Sequence, residues 1–503
     1  MRGFWNITGP SERVNRGALL GAALILLAFK ALLLAGVELG KDEAAYWYWA
    51  RHHLDASYAF VLFAVIRVAD TLQPGVDLFL RLPILIGGLG SAWLLHAACR
   101  RLSLAPEDRL IAVVTFVTSH WAWHTGSFLH PDGVLVPIWL LTLASAHRAD
   151  RTETDRDWLL TGVLAGLTAL CKYSGCVLAA GLLLALALRR QRGFRPLLLC
   201  ALPCAVVASP LVLALWKLDF HLPFTLGSLS QVAADRSVLW RGGLFLLAPL
   251  LYLSPPLLLL LYAGVARAWT RRAEDGVDLL LVPALSLMGT FAFFALVNGQ
   301  VKGNWILPGF LGLWPLAFRD LHRRRVHRLW WVALLVIGIG QAAIPATTLR
   351  WPGLAQALVA SSPNSINATY PSIVSPTDLP REPTFSWTER VCEYHGWQEF
   401  SEELQDRLEN QGIAAARVSS AEYGVGFGLG RYLPSQPEVT ITDDERFAHI
   451  ADVDEKEISV YVARSGSRLS PLAWHPQARI IDRIDRSSDG CGAVSYEISM
   501  QFP

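Results

Sequence analysis

Residues 37–53 read VELGKDEAAYWYWARHH and follow directly on a run, roughly 17 to 37, that is almost wholly apolar. Two adjacent acids, Asp42 and Glu43, and then Tyr46, Trp47, Tyr48 and Trp49 stand where the chain would leave hydrocarbon. An ionised side chain near hydrocarbon costs ~2–3 kcal/mol even on lenient insertion scales, so charges kept there pair or bind something. The rings fit the aromatic belt found at headgroup depth, and they also offer faces on which a sugar ring stacks. Successive helical residues point about 100° apart, so the two acids do not share one task.

Outward from this stretch, the composition sets the class. The chain has 503 residues, 53% hydrophobic and 17% charged, with 19 Trp and a formal net charge of +2. That describes an integral membrane protein and gives no basis for nucleic-acid binding. Apolar runs occur at roughly 17–37, 80–99, 108–123, 133–147, 158–171, 175–188, 196–216, 242–266, 278–297, 303–318 and 329–347. The expected fold is therefore an all-α polytopic membrane domain of about eleven transmembrane helices, residues 1–349.

Alternate connections differ sharply in charge. The set containing Arg100, Arg101 and Arg109, then Arg189, Arg190, Arg192 and Arg195, then Arg323, Arg324 and Arg325 holds more than twice the Lys and Arg of the opposite set. The positive set marks the cytoplasm. An N-terminus in the cytoplasm and an odd number of spans put residues 37–53 and the C-terminal tail on the outer side of a plasma (inner) membrane. The first helix has no small-residue cleavage pattern and reads as a retained anchor. Lys30 lies within that first span, where its stem reaches an interface or its charge meets a partner inside the bundle.

Residues 350–384, with SSPNSINATYPSIVSPTDLPREP at their core, are rich in Pro, Ser and Asn and read as a linker. Beyond it, residues 385–503 change periodicity: GWQEFSEELQDRLENQG predicts an amphipathic helix closed by Gly412. AAARVSS, EVTIT, EISVYVAR, ARIIDRI and AVSYEISMQF have the pattern of strands. The tail is expected to be a soluble, extracytoplasmic α/β domain, with Trp397, Tyr423 and Tyr432 as packing residues. Cys392 and Cys491 fall in it, and an oxidising compartment permits a disulfide between them; two free thiols fit the sequence equally.

Polar residues gather at the outer mouth: Asp42 and Glu43; His120, His124, His130 and Asp132 in SHWAWHTGSFLHPDG; Lys172 in CKYSG; Lys302 and Asn304 in VKGNW. Here the sequence resembles a known group. LGKDEAAYWYWARHHLDASY, RLPILIGGLGSAWLL, HPDGVLVPIWLL, WLLTGVLAGLTALCKYSG, VKGNWILPGFLGLWPL, GWQEFSEEL and AEYGVGFGLGRYLPSQPEV occur in the order seen in bacterial C-type membrane glycosyltransferases of the aminoarabinose-transferase and protein O-mannosyltransferase kind. The resemblance implies an inverting glycosyltransferase that moves a hexose or pentose from a polyprenyl-phosphate carrier to a cell-envelope lipid, glycan or protein.

In such enzymes the first-loop Asp, here Asp42, is the general base. Glu43, Asp132 and His130 would orient the acceptor or a metal. Lys172, Lys302 and Arg51 would meet the donor phosphate, and Tyr46, Trp47 and Asn304 would line the sugar. Asp42, Asp132 and His124 are metal-ligand types, but no compact spacing assigns a metal, so dependence on a divalent ion stays open. One departure stands out. Relatives carry a charged residue followed by Pro-Pro or His-Pro-Pro after the first amphipathic helix, whereas this chain reads LDASYAFVLFAVIRVAD. Two other readings therefore remain: a flippase or transporter for lipid-linked sugars, and an inactive relative serving as scaffold or binding subunit.

Overall fold

The computed structural model describes residues 21, 24–52, 59–189, 193–217, 237–271, 276–298, 304–319, 321, 328–354, 357, 391–413, 417–420, 423–441, 459–464, 479–488 and 491–501. Its helices are α1 (Leu24–Leu34), α2 (Lys41–His52), α3 (Phe60–Leu72), α4 (Asp77–Arg101), α5 (Pro106–Val117), α6 (His120–Thr125), α7 (Pro131–Thr152) and α8 (Asp155–Cys171). They continue as α9 (Tyr173–Leu188), α10 (Arg195–Lys217), α11 (Val238–Leu247), α12 (Pro255–Thr270), α13 (Asp278–Asn298), α14 (Leu307–Phe318) and α15 (Arg328–Arg350). Each of the apolar runs read from the sequence falls on one or two of these helices.

Among the described residues, four helices are long and apolar enough to cross a membrane, or five if the bent pair α11–α12 counts as one span. The others fall short for physical reasons. The α14 helix is 12 residues long and buried throughout, so its surroundings are protein. The α7 helix carries Asp132, His147, Arg148 and Asp150, nearly all of them against neighbouring helices. Protein-facing helices need not satisfy a lipid-facing hydropathy threshold.

The breaks between helices carry the polar groups of the outer mouth. Ser119 caps α6, its Oγ accepting the Ala122 N–H at 3.2 Å. His130 caps α7, its Nδ1 accepting the Asp132 N–H at 3.2 Å, and Pro131 follows at the first helical position, where the missing N–H costs nothing. Lys172 is extended (φ −174°, ψ 158°) and separates α8 from α9. A core built from α5, α7, α8, α9, α12, α13 and α14 holds these breaks in place.

The tail consists of α16 (Trp397–Asn410), β1 (Arg417–Ser420), α17 (Tyr423–Tyr432), β2 (Glu438–Ile441), β3 (Ser459–Arg464), β4 (Arg479–Ser488) and β5 (Cys491–Gln501). The sheet order is β2-β1-β3-β5-β4, parallel across β2, β1 and β3 and antiparallel across β3, β5 and β4. All five strand segments and α16 match the sequence reading, while α17 was not foreseen as a helix. Trp397, Phe400, Leu404 and Leu408 of α16 pack with Val418, Val460, Ile484 and Ile498. Cys392 and Cys491 are bonded, with S–S 2.03 Å and Cα–Cα 5.8 Å, which settles the alternative left open by the sequence. Most of the expected linker, from residue 358 on, lies outside the described residues.

Candidate active site

The α2 helix begins with a cap that its own third residue completes. Gly40 accepts the Ala44 N–H at 2.9 Å, and Glu43 Oε2 takes the Gly40 N–H at 3.2 Å, the reciprocal half of a capping box. Glu43 also binds Arg81 of α4 through two contacts, Nε to Oε1 at 2.9 Å and Nη2 to Oε2 at 2.5 Å, and accepts the Leu129 N–H at 2.8 Å. Arg81 spends its remaining donors on the carbonyls of Val37 (2.6 Å) and Glu38 (2.7 Å). Both side chains are buried, so one ion pair fastens the 37–40 loop, the start of α2 and the segment before α7 together. Glu43 has four donors on two oxygens and no capacity left to orient an acceptor or a metal. Its geometry is that of a strut, in place of the orienting role expected for it.

Asp42 is the residue this strut presents. It occupies the first turn of α2, where the helix macrodipole favours a carboxylate, and its side chain is exposed while Glu43 beside it is buried. Its electrostatic neighbours are His124 and Tyr394, whose titration it perturbs. Burial holds the His124 imidazole below its usual range, against the opposing pull of Asp132, Glu43 and Asp42.

The second half of the cluster is carried by α7 and the α8–α9 break. Lys172 Nζ donates to Asp132 Oδ1 at 3.0 Å. His130 Nδ1 lies 3.5 Å from Asp132 Oδ2, yet that nitrogen already accepts the Asp132 amide. The imidazole proton therefore sits on Nε2, and the 3.5 Å contact is not a hydrogen bond. Asp132 Oδ2 is buried with no hydrogen-bond partner among the described residues. The His124 and His130 rings meet edge-on at 5.2 Å, and Tyr46 meets His130 edge-on at 6.3 Å. Asp42, Tyr46, His124, His130, Asp132 and Lys172 thus form one neighbourhood.

Of the other expected site residues, Trp47 and Arg51 are held elsewhere. Trp47 is 1% exposed, its ring under the Arg431 guanidinium at 4.7 Å, so it belongs to the core and lines no sugar pocket. Arg51 lies nine residues beyond Asp42, about 13 Å along α2 at 1.5 Å per residue, and pairs with Asp70 at 3.6 Å. Asn304 is half-buried in the turn before α14; the next residue, Trp305, packs on Phe291 of α13 at 5.0 Å. Lys302 lies outside the described residues. Among the described residues no three His, Cys, Asp or Glu are grouped as metal ligands, and Asp132 Oδ1 accepts from the Lys172 ammonium.

Two contributors escaped the sequence reading. Arg81 stood in a quoted motif, RLPILIGG, but nothing local distinguishes it from a snorkelling cation. Tyr394 comes from the tail: its ring lies against Phe128 at 5.7 Å and so close to Gly40 that a Cβ there would collide with it. Its carbonyl accepts the Glu38 N–H at 3.1 Å. Burial, with the nearby carboxylates of Glu43, Glu393 and Asp42, pushes its phenol well above the usual range.

Residues 57–216 match the sequence profile of the family described as dolichyl-phosphate-mannose-protein mannosyltransferase. No curated protein matches the chain. Two solved structures of ArnT from Cupriavidus metallidurans superpose over nearly all of both chains. The one bound to undecaprenyl phosphate gives a TM-score of 0.59 at 13% identity, covering 97% of this chain and 98% of that one. The apo structure gives 0.60 at 14% identity with the same coverage. The chain is thus a polytopic membrane protein with the C-type glycosyltransferase fold, similar in architecture to the aminoarabinose transferase and, over residues 57–216, in sequence to the protein mannosyltransferases.

Proposed function

We propose that the protein is an inverting glycosyltransferase that takes a sugar from a polyprenyl-phosphate carrier and attaches it to a hydroxyl of an envelope lipid, glycan or protein on the outer face of the membrane. One observation carries the reading: an exposed carboxylate, Asp42, is held at the start of α2 by a fully buried strut, beside a Lys172–Asp132 pair and two close-packed histidines. A base poised by rigid surroundings is what proton removal from an attacking alcohol needs. Undecaprenyl phosphate, the lipid bound in the superposed ArnT structure, supports a carrier of that chemistry.

In this mechanism Asp42 takes the acceptor proton as the oxygen attacks the anomeric carbon from the face opposite the phosphate. The bond from that carbon to the phosphate oxygen breaks, its electron pair leaves with the carrier phosphate, and configuration inverts. Positive charge develops on the sugar ring as in glycoside hydrolysis, and negative charge on the phosphate requires a cation. Lys172 supplies it by exchanging Asp132 for the phosphate. Asp42→Asn keeps the helix cap and is expected to lower turnover about 10²–10⁴-fold in membranes supplied with a lipid-linked sugar. Full turnover in that variant removes Asp42 from the role.

The pairing of Lys172 with Asp132 at 3.0 Å also suits a second reading, a carrier-binding protein without transfer. Purified protein given a radiolabelled lipid-linked sugar separates the two: the first reading yields glycosylated acceptor, the second retains the donor intact.

A further inference from the structure

The α1 helix presents Leu24, Ile25, Phe29 and Leu32 outward, all of them exposed. Lys30 points the other way and is 5% exposed, so it does not snorkel to a headgroup. Its Nζ donates to the Gly126 carbonyl at 3.1 Å and stands over the Trp123 ring at 4.8 Å. The partner inside the bundle that the sequence left open is thus a backbone carbonyl, not an acid. A buried amine within a span is costly to keep, and a hydrogen bond to one carbonyl does not by itself explain retaining it.

What distinguishes that carbonyl is the segment it belongs to. Gly126 opens the turn between α6 and α7 that ends in His130, the α7 cap, two residues before Asp132. Behind it stands α4, where a Cβ on Gly88 would lie 2.8 Å from the Gly126 Cα. Toward the other end of the turn, Leu129 gives its N–H to Glu43 at 2.8 Å. Hydrogen bonds from two elements therefore hold the turn, one from Glu43 next to Asp42 and one from Lys30 of α1. Without the second, the turn would pivot about Leu129 and carry His130 and Asp132 away from their places near Asp42. We propose that Lys30 is a positioning residue for the transfer reaction: by fixing Gly126 it sets the α6–α7 turn, and with it His130 and Asp132, against Asp42. The inference rests on the transfer reading given above, while the hold on the turn is measured without it.

The test compares full-length wild-type protein with Lys30→Met, which fills the space of the stem without a donor, in detergent micelles. Hydrogen–deuterium exchange of the amides of residues 126–130 is expected to rise about tenfold or more in Lys30→Met, and to stay within about twofold in Leu32→Met on the exposed face of α1. With a lipid-linked sugar supplied, kcat per folded molecule should fall about tenfold or more in Lys30→Met while the donor KM holds within about twofold, as misplacement of reacting groups predicts. A merely structural role would lower Tm and yield and leave kcat per folded molecule unchanged, and that result overturns the proposal. Unaltered exchange of the turn in Lys30→Met overturns it as well. If that variant does not fold, Lys30→Gln, whose amide ends one atom short of the amine, is read against the same limits. Should wild-type protein transfer nothing while the turn still responds to Lys30→Met, the transfer reading fails and the hold of Lys30 on His130 and Asp132 stands.

Discussion

At the residue scale, Arg81 and Tyr394 do for Asp42 what its own neighbours in sequence cannot. A buried ion pair is not itself a strong source of stability, because desolvation offsets much of the attraction, but removing one partner strands the other. Arg81→Ala leaves the Glu43 carboxylate buried and two loop carbonyls unpaired. It is expected to cost about 3–5 kcal/mol, seen as a fall in Tm and in membrane yield, with Asp42 mispositioned as a consequence. Tyr394→Phe keeps the ring against Phe128 and Gly40 and removes only the hydroxyl. Here Tm should hold while turnover falls; an unchanged rate would restrict Tyr394 to packing. Asp42, His130, Asp132 and Lys172, which the structure brings together, stood out in the sequence because charge near hydrocarbon is conspicuous. The burial of Trp47 was not legible, since the residue it packs under, Arg431, is nearly four hundred residues away along the chain, and the pairing of Arg51 with Asp70 likewise has no local signal.

At the element scale, α17 shows why part of the tail was illegible. YGVGFGLGRY places glycine at every second position, an arrangement unfavourable to a helix by ~1 kcal/mol for each glycine relative to alanine. Packing overrides that cost. A Cβ on Gly428 would lie 3.0 Å from the Trp397 ring of α16, and one on Gly430 2.5 Å from Val439 of β2 and 3.4 Å from the Tyr48 ring of α2. The helix is thinned on these faces so that a sheet strand, a tail helix and the Asp42 helix can all approach its backbone. Gly430→Ala is therefore expected to destabilise the tail by about 1–3 kcal/mol despite alanine's better helix propensity, measured by limited proteolysis of the tail. The strands were legible because alternation is a local property; close approach between elements is not.

At the scale of the whole molecule, the two regions that the sequence separates by a linker are joined at many points. Glu38 accepts the N–H groups of Trp397 at 2.7 Å and Gln398 at 2.9 Å, capping α16 from the loop before α2. Lys41 pairs with Glu393 at 3.0 Å, Arg431 with Asp77 at 2.8 Å, and Tyr432 Oη donates to Asp77 Oδ2 at 2.5 Å. Tyr432 Oη also accepts the Leu39 N–H at 2.6 Å, and Tyr48 Oη accepts the Val439 N–H at 2.9 Å. Removing residues 385–503 should thus abolish transfer, not merely alter acceptor preference. The seam also responds to acid. His395 lies below its usual range, chiefly through burial, while a ring nitrogen donates to the Leu349 carbonyl at 2.7 Å. The unfolded chain then gains a proton near pH 6.5 before the folded one does, so stability is full above that pH and is lost as pH falls through the window below it. His395→Gln should flatten that loss in a Tm series from pH 7.5 to about 5.

The Cys392–Cys491 bond closes a span of 99 residues and anchors the turn that carries Glu393, Tyr394 and His395, three side chains that grip the membrane half. A loop of that length gives up roughly 4–5 kcal/mol of disorder when crosslinked, on the chain-entropy account. With the two thiols reduced, the chain holds that turn more loosely, and with it one wall around Asp42.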